Sequence, residues 1–154
     1  MVVIEGERER FTGFVREVEP RLRRALTALR GPEGGREATA EALAWAWENW
    51  SKVQAMENPA GYLYRVGSSR SRPRDVRVPA AHHEPVAVGF EPNLAPALAR
   101  LPKRQRDAVV LVHGCGWTYQ EVADALAISK SSVGTHVRRA LTRLRSELGA
   151  DTDG

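Results

Sequence analysis

Residues 117–148, WTYQEVADALAISKSSVGTHVRRALTRLRSEL, decide how this chain is read. Thr118 and Glu121 have capping-box spacing, in which the threonine oxygen accepts from the Glu121 backbone N–H and the glutamate reaches back. Val122, Ala123 and Leu126 then fall on one face of a short helix. Ala127 and Ile128 carry a tight turn, and Ser129 is a good N-cap for the helix that follows. In that second helix Val133, Val137, Leu141, Leu144 and Leu148 recur every three or four residues and make one buried stripe. The opposite face holds Ser131, Ser132, Thr135, Arg138 and Arg139, with His136 on the flank. Hydroxyls and guanidinium groups can address base edges or phosphate oxygens. The stretch is predicted to be a helix-turn-helix able to lie in the major groove of duplex DNA.

Charge agrees with that placement. The 154 residues carry a net charge of +4 and the isoelectric point is near 9.7. Residues 93–149 alone hold nine Lys/Arg against four Asp/Glu. The basic excess therefore sits with the helix-turn-helix, where an acidic partner would be met.

Along the chain three pieces are visible: a helical one over about 8–72, a proline-bearing one over about 73–92 and a helical one over about 93–148. Phe11, Phe14, Val15, Val18, Leu22, Leu26 and Leu29 form an apolar helical stripe, with Pro20 expected to kink or break it and GPEGG (31–35) to end it. A second helix is expected over about 36–50, with Ala38, Ala42, Leu43, Ala46, Trp47 and Trp50 facing inward and Trp45 rotated outward. SKVQAMENPAG (51–61) reads as a loop, and a helix over about 59–70 carries Tyr62, Leu63 and Val66. Residues 73–92 contain Pro73, Pro79, Pro85 and Pro92 without helical period and read as an extended linker. Beyond it, helices are expected at about 93–100, 102–113, 118–126 and 130–148. The fold class expected is therefore all-α: two small helical domains, 8–72 and 93–149, joined by the linker 73–92.

Several functions are set aside. Cys115 is the single cysteine, which leaves no intramolecular disulfide or cysteine metal cluster and suits a buried structural thiol. His82 and His83 are adjacent without ligands at metal spacing, so no metal site is expected. No nucleophile–base pair or phosphate loop stands out, so no enzyme and no cofactor are expected. No apolar run approaches the roughly 20 residues of a membrane span, and MVVIEGERER lacks the pattern of a signal peptide. The expected location is cytoplasmic.

The layout resembles the extracytoplasmic-function (ECF, group IV) sigma factors of bacterial RNA polymerase. ARLPKRQRDAVVLVHGCGWTYQEVADALAISKSSVGTHVRRALTRLR is similar to region 4 of that family, in its leucine-proline start, apolar helix, Tyr-x-Glu-x-Ala helix and serine-capped recognition helix. PRLRRALTALRG, EATAEALAWAWENW and NPAGYLYRVGSSRSR more loosely resemble region 2. The resemblance implies core polymerase (clamp and flap) and double-stranded promoter DNA as partners, with an anti-sigma factor as a further one. It implies minus-35 contacts by Lys130, Ser131, Ser132, Thr135, His136, Arg138, Arg139 and Arg143. It also implies minus-10 contacts on the side of Lys52, Gln54, Asn58, Arg65 and Arg70, with Met56 in the same loop, and polymerase contacts by Glu37, Glu41, Trp45 and Glu48. Arg104 and Arg106 are candidate backbone contacts.

Three departures stand out. The family's acidic-Leu-Val-Gln-Glu run is replaced by Glu37-Ala38-Thr39-Ala40-Glu41. Pro73 lies where the minus-10 helix normally continues, and Ala127 replaces the glycine common at the turn. Three functions stay open at this point. One is a sigma factor that directs polymerase to promoters, and another is a stand-alone helix-turn-helix regulator. The third is a degenerate sigma-like protein that binds polymerase or an anti-sigma factor without initiating transcription.

Overall fold

The structure is a computed structural model, and it describes residues 2–71 and 93–150. The linker 73–92, with His82 and His83, lies outside the described residues. Every described element is helical, as expected: α1 (Val2–Glu48), α2 (Trp50–Gln54), α3 (Pro59–Arg70), α4 (Leu94–Arg100), α5 (Lys103–Val109), a π-helical turn (Val110–Gly114), α6 (Tyr119–Leu126) and α7 (Lys130–Ala150).

α1 is two helices joined at one residue. Gly31 has φ 85° and ψ 166°, and no other position in α1 departs from helical backbone. Glycine reaches that region without a Cβ penalty, and Pro32 restarts the helix where a missing N–H is harmless. The two arms fold back on each other. A Cβ added at Gly35 would lie 2.6 Å from the Thr27 backbone, and at the far end Phe11 meets Trp47 and Trp50 at 5.0 and 5.2 Å between ring centroids. The break expected over 31–35 is thus confined to Gly31. Pro20, expected to kink the first arm, is passed with helical backbone. It is exposed, while Val18 and Leu22 beside it are buried, so their packing holds the helix through the lost hydrogen bond.

The segment 51–61, expected to be a loop, is not all loop: α2 occupies Trp50–Gln54. Asn49 leaves helical geometry at φ −120° and ψ 33°, so the register of the apolar stripe resets there. Two tryptophans upstream of that break also differ from expectation. Trp47, expected inside, is 42% exposed. Trp45, expected outside, is half-buried against the core and lies 5.4 Å from the Tyr62 ring. The cause is the position of the second arm of α1 between the first arm and α3: it buries two faces instead of one stripe.

α3 approaches α1 closely because small residues line the contact. A Cβ at Gly67 would be 2.5 Å from the Ala38 carbonyl and 3.2 Å from the Ala42 Cβ. Ala38 and Ala42 are fully buried. The replaced run 37–41 therefore has a local reason, since Ala38 leaves room for α3. Thr39, also buried, donates its hydroxyl to the Gly35 carbonyl at 2.7 Å, which satisfies the polar group inside the core.

The principal core crosses from one half of the chain to the other. Leu22, Leu26, Val53 and Leu63 from the first half pack in one cluster with Leu111, Trp117, Val122 and Val133 from the second. At about 2 kcal/mol per large buried aliphatic side chain, this cluster is the main source of stability. A smaller cluster belongs to the second half alone: Ala97, Leu101, Val109, Ala140 and Leu144, from α4, α5 and α7.

Candidate nucleic-acid interface

α6, the turn and α7 are built by local chemistry. The Glu121 N–H donates to Thr118 Oγ1 at 3.1 Å and the Thr118 N–H donates to Glu121 Oε1 at 3.1 Å, a complete capping box. Ala127 ends α6 in the left-handed region, at φ 55° and ψ 45°. Alanine in place of the family's glycine therefore does not avoid positive φ, and it costs about 1–2 kcal/mol there. Ser129 caps α7 by accepting from the Ser132 N–H at 3.1 Å. Its hydroxyl also donates to Ser132 Oγ at 2.8 Å.

α7 turns a basic, hydroxyl-bearing face outward. Lys130, Ser131, Arg138, Arg139 and Arg143 are exposed, and Ser132 and Thr135 partly so. Arg138, Arg139, Thr142 and Arg143 line an open groove of about 360 Å³ with Gln105 of α5. Thr135 donates its hydroxyl proton to the Ser131 carbonyl at 3.2 Å. In that rotamer it offers outward only lone pairs, which suit an exocyclic amine of adenine or cytosine. His136 is half-buried, and its Nδ1 is buried without a hydrogen-bond partner, so it presents less of its ring outward than the sequence suggested.

The arginines of α5 are engaged within the fold. Arg104 donates to the Leu126 carbonyl at 2.6 Å and so satisfies and electrostatically complements the C-terminal end of α6. Arg106 donates to the Ala99 carbonyl at 3.4 Å. Both were candidates for backbone phosphate contact, and here both hold neighbouring elements.

In the first half, Asn58 and Arg65 come together, whereas Lys52, Gln54 and Arg70 are exposed elsewhere. Met56, Glu57, Asn58, Tyr62 and Arg65 line a groove of about 560 Å³ whose other wall is Gln120 and Asp124 of α6. The Arg65 guanidinium stands 4.9 Å over the Tyr62 ring, with Trp45 beside it. Of the candidate polymerase contacts, Glu41 and Glu48 are exposed, and Glu37 and Trp45 are partly buried. α3 ends at Arg70, with Ser71 extended at ψ 144°.

The seam between the halves was not legible as a site. Arg21 of α1 pairs with Glu121 at 2.7 Å and lies 5.5 Å over the Trp117 ring. Trp117 meets Tyr64 of α3 edge-on at 5.7 Å, and Arg24 donates to the Gly114 carbonyl at 3.0 Å. Burial pushes the Tyr64 hydroxyl far above its ordinary pKa, with the nearby Asp107 charge acting the same way. Burial also raises the Cys115 thiol, opposed by Arg24. Cys115 is only partly buried, less than expected. The signal that could have found it is Gly61, a glycine inside α3 that costs helix stability and so invites a packing reason. No group of three or more metal-ligating side chains occurs among the described residues, and no described helix is long and apolar enough to cross a membrane.

Residues 93–144, from α4 through most of α7, match the family model for Sigma-70, region 4. The match covers about a third of the chain and contains α6, the turn and α7 as far as Leu144. A chain of the co-crystal structure of the sigma factor RpoE in complex with the anti-sigma factor NepR from Bartonella quintana has the same all-helical fold over both halves. The TM-score is 0.70 at 22% sequence identity, covering 93% of this chain and 99% of that one. No curated protein sequence matches the chain.

Proposed function

We propose that the protein is a sigma factor of the extracytoplasmic-function type, which binds core RNA polymerase and directs it to specific promoters. The observation that carries this reading is the region 4 match laid over a helix whose exposed face presents Lys130, Ser131, Arg138, Arg139 and Arg143. α7 is the minus-35 reader: Arg138, Arg139 and Arg143 neutralise phosphates, while Ser131, Ser132, Thr135 and the outer edge of His136 face bases. On the minus-10 side, Asn58 and Arg65 are the favoured contacts, with Lys52, Gln54 and Arg70 further out. Glu37, Glu41, Trp45 and Glu48 are the proposed polymerase surface. An anti-sigma factor is a further proposed partner, as in the complex that contains the structural neighbour. The work is placement, with no covalent step.

A second reading keeps polymerase binding without efficient promoter melting, and the early end of α3 at Arg70 favours it. Both readings are tested by mixing purified protein with sigma-free core polymerase, then assaying transcription from promoter DNA. A stable, transcribing complex is expected. A stable complex that does not transcribe selects the second reading, and no complex refutes both. Arg138→Ala is expected to weaken promoter binding about tenfold, in line with a lost arginine contact, and to leave polymerase binding intact. Equal loss of both activities contradicts separate surfaces.

A further inference from the structure

α5 is short, yet its first turn reaches each of its helical neighbours in the second half. Lys103 pairs with Asp107 of the same helix at 3.0 Å. Arg106 donates to the Ala99 carbonyl in the last turn of α4, and Gln105 stands in the groove with the arginines of α7. Arg104 donates to the carbonyl of Leu126, the last residue of α6.

That carbonyl lies where the helix-turn-helix changes direction. Ala127 follows it in the left-handed region, and the N–H groups of Ala127 and Ile128 both go to the Ala123 carbonyl. The Leu126 carbonyl takes its hydrogen bond from the guanidinium, a charge-assisted contact at the negative end of the helix dipole. Alanine in the left-handed region is strained, so a bond from outside the motif holds the turn on its course. The turn in turn sets where α7 starts, and Ser131, Ser132 and Thr135 lie within the first two turns of α7. Hydrogen bonds to base edges weaken steeply with misplacement, whereas attraction between an arginine and a phosphate falls off slowly with distance. A shifted α7 therefore loses base reading before it loses its hold on the backbone.

We propose that Arg104 is a positioning residue for sequence reading: it fixes the turn between α6 and α7 through the Leu126 carbonyl and does not grip a phosphate. The proposal rests on the recognition-helix reading above and gives a residue outside the motif control over the motif's specificity.

The test uses the full chain. The wild-type protein first enriches a duplex from a randomised pool, and that duplex and a scrambled one of equal length are labelled for fluorescence anisotropy. Arg104→Ala should weaken binding of the enriched duplex about tenfold, the size of one lost base contact, and leave the scrambled duplex unchanged. The slope of log K against log salt should stay the same. A lost phosphate contact does the opposite, weakening both duplexes and reducing the slope by about 0.9. Arg104→Lys keeps a cationic donor and should restore most of the discrimination. Hydrogen exchange at the Ile128 amide should quicken about tenfold in Arg104→Ala, as the loss of one charge-assisted bond at the turn requires. Arg104→Met keeps the apolar stem and removes only the charged head, and it decides the matter if Arg104→Ala does not fold. Equal loss on both duplexes overturns the proposal, as does unchanged discrimination in the alanine and methionine variants. If the wild-type chain enriches no duplex, the recognition-helix reading fails instead, and exchange at Ile128 still decides whether Arg104 holds the turn.

Discussion

Ala127 is the described non-glycine residue with a positive φ, and it sits between the two helices of the DNA-binding motif. Glycine at this position relieves about 1 kcal/mol of left-handed strain, and its greater freedom in the unfolded chain returns about half of that. Ala127→Gly should therefore raise stability by about 0.5 kcal/mol, visible as a higher urea midpoint, and a lower midpoint would show that the alanine is not strained. Tyr64 makes a prediction about pH. Its folded pKa lies above the unfolded value of 10.0, so above pH 10 the unfolded chain loses a proton that the folded chain keeps. Stability contributed by the buried hydroxyl is thus full below pH 10 and falls as pH rises beyond it. Tyr64→Phe should flatten that alkaline decline in thermal melts, and an unchanged slope would assign the decline to other groups. The residues of the capping box and the Ser129 cap were legible in the sequence because their partners lie within three positions. Arg21, Arg104 and Trp117 were not, because their partners lie many residues away along the chain.

At the scale of elements, α3, α6 and α7 follow their sequence signals closely. Pro59 opens α3, Thr118 opens α6 and Ser129 opens α7, and each is a local stop or start that tertiary packing does not override. α1 follows its signal less closely. Periodicity places one apolar stripe on a helix, yet the second arm of α1 is covered on two sides, by the first arm and by α3. A two-sided helix has no single outward phase, and that is why Trp45 and Trp47 exchange places relative to expectation. α2 escaped notice because five residues, Trp50–Gln54, are too few to display a period. The exposed face of α7 carries a prediction of its own. Its phosphate contacts make duplex binding fall with salt, and Arg138→Ala should reduce the slope of log K against log salt by about 0.9. An unchanged slope at lower affinity would place Arg138 on a base edge instead.

For the whole molecule, composition and patterning foretold an all-helical chain, but not that residues before and after the linker share one largest core. Leu63 and Val122 each lie on an ordinary helical stripe, and nothing in either stripe names its partner across the chain. The seam has an optical consequence. Three of the four tryptophans, Trp45, Trp47 and Trp50, belong to the first half, and Trp117 alone comes from the second. Trp117 is 3% exposed beneath Arg21 and Tyr64, so its indole is shielded only while the halves are together. A chain in which the other three are phenylalanine would report the separation of its halves by intrinsic emission. The spectrum should start blue and resistant to acrylamide, then move red and become quenchable as urea draws the halves apart. The protein thus contains a built-in optical gauge of its own conformation, readable without an attached dye.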